Sequence, residues 1–132
     1  MALPPTDRRF APRFAVAIEA RLLRADGKGF SATVCNISHS GLLACVAAAD
    51  VAALLPNVAR ELRHLPVGLQ VGFMAGAARI HVECGIAHLR RISATGCEIG
   101  LEFREFRDDG AARLEEFCLQ LGAAFAHPEA DP

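Results

Sequence analysis

Arg9 and Arg13 stand four residues apart in the run Arg8-Arg9-Phe10-Ala11-Pro12-Arg13. Each guanidinium is a planar fork of donors that can grip phosphate oxygens or the O6/N7 edge of guanine with two parallel bonds, or stack on a purine face. Pro12 biases Ala11 away from the helical region, so the run is expected to be extended or turning, and its arginines can close on one ligand from two sides. A second polar group follows at Asn36-Ile37-Ser38-His39-Ser40-Gly41. Asn36 and Ser38 flank an apolar Ile37 and should project to the same side. The Asn36 amide offers an acceptor and an NH2 donor, and the Ser38 hydroxyl offers both functions. Gly41 permits a backbone conformation or a close approach that a side chain would block. Taken alone, the first segment reads first as a solvated basic lead and the second as a plain polar turn.

Elements able to position these groups are legible around them. Residues 1–7 carry two prolines and no periodicity, and are expected to be a flexible lead that orders on contact with a ligand. From Phe14, the residues Val16, Ile18, Ala20 and Leu22 alternate with Ala17, Glu19, Arg21 and Leu23, the period of a half-buried strand, and Asp26-Gly27 supplies hairpin chemistry. Further strands are expected over Phe30 to Cys35, Leu42 to Val46, Val67 to Met74, Arg79 to Ile92 and Cys97 to Arg104. Turns fall at Ala75-Gly76 and Ser93 to Gly96. Between them, residues 46–66 change to helical spacing through Val51, Leu54, Leu55, Val58 and Leu62, broken by Pro56. After Asp108-Asp109, two candidate N-caps, the stripe Leu114, Phe117, Cys118, Leu121 and Phe125 predicts an amphipathic helix over residues 107–127 that His127-Pro128 closes. Six short strands with turn signals point to a mainly β chain, a barrel or a sandwich.

Composition narrows the functions. The 132 residues suit one domain, and 14 Lys+Arg against 15 Asp+Glu give a net charge of −1, so no global positive field draws nucleic acid or an acidic membrane. An anion site must be local. Lys28 is the one lysine, so arginine carries almost all positive charge. With no Trp and no Tyr, the stacking platform of a single-strand-binding barrel is lacking. The apolar runs are broken short of a bilayer span, so no membrane insertion is expected. Five cysteines without a C-x-x-C pair, and a start lacking a basic-then-apolar leader, read as a reduced, cytoplasmic protein.

The ordered pair Arg9-x-x-x-Arg13 and Asn36-x-Ser38-x-x-Gly41 resembles the hallmark of the PilZ family, R-x-x-x-R followed by [D/N]-x-S-x-x-G. The stretches Gly85 to Arg90 and Glu98 to Phe103 resemble that family's closing strands. The resemblance covers residues 8–106 and implies a six-stranded antiparallel β-barrel with a short helical insertion at 46–66 and the C-terminal helix as an appendage. It also implies a non-enzymatic receptor or adaptor for cyclic di-GMP. By position, Arg9 and Arg13 would hold base and phosphate, Asn36 a guanine edge, and Ser38 a neighbouring group, with Gly41 conformational and Arg8 an extra phosphate or stacking partner. The ligand would order the lead, and an effector protein in motility, biofilm or exopolysaccharide control would read the change. A PilZ-fold adaptor that binds no nucleotide, of the kind found in pilus or motility assemblies, is the alternative.

Other chemistry fits less well. His81-x-x-Cys84 is the nearest approach to a metal pair, but positions i and i+3 of a strand face opposite ways and a zinc site needs about four ligands. No metal or other cofactor is therefore expected. The cysteines fall at apolar positions, as small buried hydrophobes do. No two carboxylates are set across a cleft, so no catalytic residues are assigned. The helix stripe is expected to dock on the barrel, and a homodimer contact through it stays open.

Overall fold

The computed structural model describes residues 13–54 and 68–126. Six strands appear: β1 (Phe14–Leu23), β2 (Gly29–Ile37), β3 (Gly41–Ala47), β4 (Gly68–Ala75), β5 (Ala78–Arg91) and β6 (Gly96–Phe106). Every pairing is antiparallel and the order β1-β2-β3-β6-β5-β4 closes on itself, because β4 also pairs with β1, Ala20 opposite Phe73 and Leu23 opposite Gln70. Closure removes the unpaired edges that an open sheet of six short strands would expose. The sandwich left open by the strand pattern is thereby excluded, and the six-stranded antiparallel barrel is the fold.

Period-2 patterning builds the interior directly. Leu22, Phe30, Val34, Leu42, Val71, Ile80, Val82 and Ile99 point inward and are buried, while their chain neighbours face outward. Helix α1 (Ala48–Leu54) takes part of the stretch with helical spacing, whereas Val46 and Ala47 remain in β3. It drops Leu54 into the core at one barrel end, where Arg24 Nη1 donates to the Ala53 carbonyl (2.6 Å) and Ala48 N–H donates to Thr95 O (2.9 Å). The rest of that stretch, like residues 1–12 and 127–132, lies outside the described residues. Helix α2 (Gly110–Ala126) follows Asp109, whose carbonyl accepts the Arg113 N–H (3.0 Å) as an N-cap residue's does. Leu114 and Cys118 are buried against the barrel, Phe117 and Leu121 pack at the margin, and Leu119 is exposed.

The register contains one feature that alternation in sequence hides. Val34 pairs with Ala44 but Asn36 pairs with Leu43, so Cys35 is an extra residue on β2, and the β1–β2 register slips at the same level, between Ala15 and Ile18. This bulge reverses the phase of the strand. Phe30, Ala32 and Val34 point inward at even positions, and Ile37 points inward at an odd one.

The cysteine reading needs correction at two positions. Cys35 and Cys45 are joined as a disulfide between β2 and β3, while Cys84, Cys97 and Cys118 are free and buried. The pair was missed because no local spacing encodes it. The β2–β3 register brings the two sulfurs together across ten residues of sequence separation. Among the free thiols, burial pushes Cys84 up to about 12 from 9.0, with the neighbouring Glu83 charge adding to the shift. Two outcomes follow. Alkylation at pH 8 should leave Cys84 unmodified in the native protein and label it after denaturation, as read by mass spectrometry. Stability should also fall as pH rises from 9 towards 12, because over that window the unfolded chain releases a proton that the folded chain keeps.

Candidate functional site

Arg13 immediately precedes β1. Phe14 is paired with Ile37 and Ala15 with Asn36, so the arginine side chain leaves the barrel beside the β2–β3 turn. Its Nε and Nη2 both donate to Asn36 Oδ1 (2.9 and 2.8 Å), and its Nη1 donates to Ser38 Oγ (3.2 Å). Two motifs separated by more than twenty residues thus meet in one hydrogen-bonded cluster. The bulge at Cys35 makes this possible. Without the phase reversal, Asn36 would continue the inward series of Phe30, Ala32 and Val34, and Ile37 would face Arg13.

Ser38 is fully buried and its hydroxyl is crowded with partners. It lies 3.3 Å from Ser40 Oγ and 3.4 Å from the Gly41 carbonyl, and accepts the Ser40 N–H at 3.2 Å. The Ser38 N–H donates to Gly41 O (2.9 Å), closing the turn. Ser38 therefore holds the turn in shape and presents one bond to Arg13. At Gly41 the reason for glycine is a close approach, not an unusual φ. A Cβ there would run into the Leu101 carbonyl oxygen of β6. With Asn36 Oδ1 occupied, the Asn36 NH2 has no partner among the described residues, and the exposed Arg13 fork keeps N–H donors free on its outer side. This is a donor-rich cluster suited to an anionic or carbonyl-bearing ligand.

The cluster opens onto a groove of about 580 Å³ over the outer faces of β3, β6 and β5. Its far wall is made by His88, Arg90, Glu98, Gly100 and Glu102. His88 stands opposite Gly100 in the ladder, and its imidazole occupies the space a Cβ at position 100 would need. Arg90 is paired with Glu98 and bonded to it (2.8 Å), with much of the arginine side chain in water. Sequence reasoning did not single out these wall residues. Arg90 and Glu98 were discoverable as a cross-strand charge pair around the 92–96 turn, but the juxtaposition of β3 with β6 joins elements far apart in sequence, Gly41 opposite Glu102 and Ala47 opposite Gly96.

Among the other candidates, Arg8 and Arg9 lie outside the described residues. His81 is exposed while Cys84 is buried, so the two point apart as the strand geometry required. No helix among the described residues is long and apolar enough to cross a membrane.

The family model for the PilZ domain matches residues 7–120, and the chain belongs to that family. No curated protein matches it in sequence. Among solved structures, K. pneumonia MrkH superposes with a TM-score of 0.69 at 18% identity, covering 98% of this chain and 55% of that one. A K. pneumonia MrkH–c-di-GMP complex gives 0.69 at 19%, covering 94% of this chain and 57% of the other. The PilZ domain with c-di-GMP of YcgR from Escherichia coli gives 0.65 at 16%, covering 95% and 98%. The chain thus spans just over half the length of MrkH and nearly all of the YcgR PilZ domain.

Proposed function

We propose that this chain is a cyclic di-GMP receptor whose site is the Arg13–Asn36–Ser38 cluster together with Arg8, Arg9 and Gly41. The observation that carries the reading is the Arg13 fork, which holds Asn36 through two donors and Ser38 through a third. It is a ready-made donor array at the entrance to a groove. Support comes from family membership and from the c-di-GMP complexes of MrkH and the YcgR PilZ domain, which share the fold.

In this reading, binding replaces part of the internal Arg13–Asn36 contact by bonds to guanine and phosphate. The Asn36 NH2 meets a base carbonyl and the Arg13 fork a phosphate or the guanine O6/N7 edge. Arg8 and Arg9 close from the lead, and the ordering of residues 1–13 over the groove creates a surface that an effector protein reads. The ligand is signal, not substrate. Calorimetric titration of the whole chain should give saturable micromolar or tighter binding of cyclic di-GMP and none of GTP or cyclic GMP. Equal heats for all three would sink the assignment.

A further inference from the structure

We infer that Cys35 and Cys45 form a redox-active modification site that tunes the affinity of the neighbouring nucleotide site, with cellular thiol or dithiol reductants as its co-reactants. The inference rests on the receptor reading for its output but on separate observations for its chemistry. Cys35 is the inserted residue of the β2 bulge and is directly followed by Asn36. Its partner sulfur belongs to Cys45 on β3, opposite Thr33. The covalent link therefore ties the bulge to the next strand at the one level where both ladders of β2 slip.

That slip sets which way Asn36 faces. Inserted residues leave the ladder locally unpaired, so a bulge is a place where register can relax. A crosslink across it limits the alternatives, holding Asn36 outward where Oδ1 can accept two donors from Arg13. Neither cysteine is part of the buried core; both are half exposed on the barrel wall, unlike the three free cysteines. A small thiol can reach them. Reduction also has a resting geometry available, since Thr33 O lies 3.6 Å from Cys35 Sγ and can accept the thiol proton.

The chemistry balances as ordinary thiol–disulfide exchange. A thiolate of the dithiol attacks one sulfur, and the other leaves as a thiolate and takes up a proton. The second thiol then displaces the first protein sulfur from the mixed disulfide. Two electrons and two protons pass from the reductant to Cys35 and Cys45, and the reductant leaves as its own disulfide. Reoxidation returns both electrons to a disulfide or hydroperoxide oxidant. Disulfides of proteins held in reducing compartments are commonly of this transient, sensing kind.

The test uses the whole chain, oxidised or treated with dithiothreitol, with the redox state verified by counting alkylated thiols by mass spectrometry. Cyclic di-GMP is titrated into each form, and amide hydrogen exchange is followed over Cys35–Ser38 and Leu43–Cys45. The expected result is a Kd about tenfold weaker after reduction, together with faster exchange in both segments. The Cys35→Ser/Cys45→Ser double variant should show the weaker Kd under both conditions. Equal affinity and equal exchange in the two forms, failure of the bond to form under mild oxidant, or redox sensitivity that survives in the double variant would each overturn the inference. If neither form binds cyclic di-GMP, the receptor reading fails instead, and the exchange data alone decide whether the pair pins the bulge. The wild-type comparison needs no substitution, so a misfolded variant cannot blunt it.

Discussion

Gly41→Ala is expected to destabilise the barrel by about 3 kcal/mol, near the upper end of what forced overpacking costs. The added Cβ would meet a backbone oxygen, Leu101 O, and the neighbouring atoms within reach are the Leu101 carbonyl carbon and Glu102 Cα. None is the end of a side chain that can rotate away. β3 and β6 must separate where Gly41 pairs with Glu102, Leu42 with Leu101 and Leu43 with Gly100. That displacement opens the core at Leu42 and Leu101, both almost fully buried. It also moves Gly41 O, which accepts from the Ser38 N–H, so the turn that shapes the site shifts with it. A comparison at Gly122 isolates the cause. Its hypothetical Cβ lies 3.7 Å from Phe14 Cζ, an ordinary contact, and alanine is about 1 kcal/mol better than glycine inside a helix. Gly122→Ala should therefore raise the urea midpoint while Gly41→Ala lowers it. A Gly41→Ala protein with an unchanged midpoint would mean that β3 and β6 do not approach as described.

The strands were legible because they are half-buried and alternate. Leu22, Val34, Val71, Val82 and Ile99 mark the inward face by period alone. Closure and strand order are not local properties. The β1–β4 and β3–β6 pairings join segments that no turn links; the closed barrel came only by way of the family resemblance, and the strand order was not foreseen. Asn36 and Ser38 were expected on one side because Ile37 separates them, and both do meet Arg13. What could not be read was why. The answer is the bulge at Cys35, whose sequence trace is an apolar series at 30, 32, 34 and then 37. A break of that kind is easily taken for the end of a strand. The disulfide was hidden as well, since Cys35 and Cys45 come together through the β2–β3 register, which no local cysteine spacing encodes. The groove wall at His88, Arg90 and Glu98 likewise depends on long-range pairing. Arg13, Asn36 and Ser38 could be picked out by type and spacing and meet in one cluster, whereas the residues that build the surface around them could not.

Arg13→Ala is expected to weaken cyclic di-GMP binding by about 100-fold, some 3 kcal/mol, while leaving the thermal midpoint nearly unchanged. The separation of the two effects follows from where the side chain sits. Arg13 is exposed and lies outside the β ladder, and its bonds to Asn36 are in water, where such contacts add little to stability. Ser38 keeps its contacts with Ser40 and Gly41 when Arg13 is removed, so no buried hydroxyl is orphaned. Affinity responds differently, because in the proposed complex the guanidinium faces a phosphate or a guanine edge with a planar fork that alanine cannot supply. Arg13→Lys keeps the charge but cannot reach Asn36 through two donors and Ser38 through a third, so its affinity should fall between wild type and Arg13→Ala. Arg9→Ala should resemble Arg13→Ala in binding, since in the proposed site both guanidinium groups hold one ligand. The Arg13–Asn36 contact supplies a further check. Because Arg13 orients Asn36, the double variant Arg13→Ala/Asn36→Ala should lose less affinity than the two single losses combined, a coupling readable by calorimetry. Strict additivity would show that the Arg13–Asn36 contact does not prepare the site, and undiminished affinity in both arginine variants would remove the basis for placing the nucleotide there.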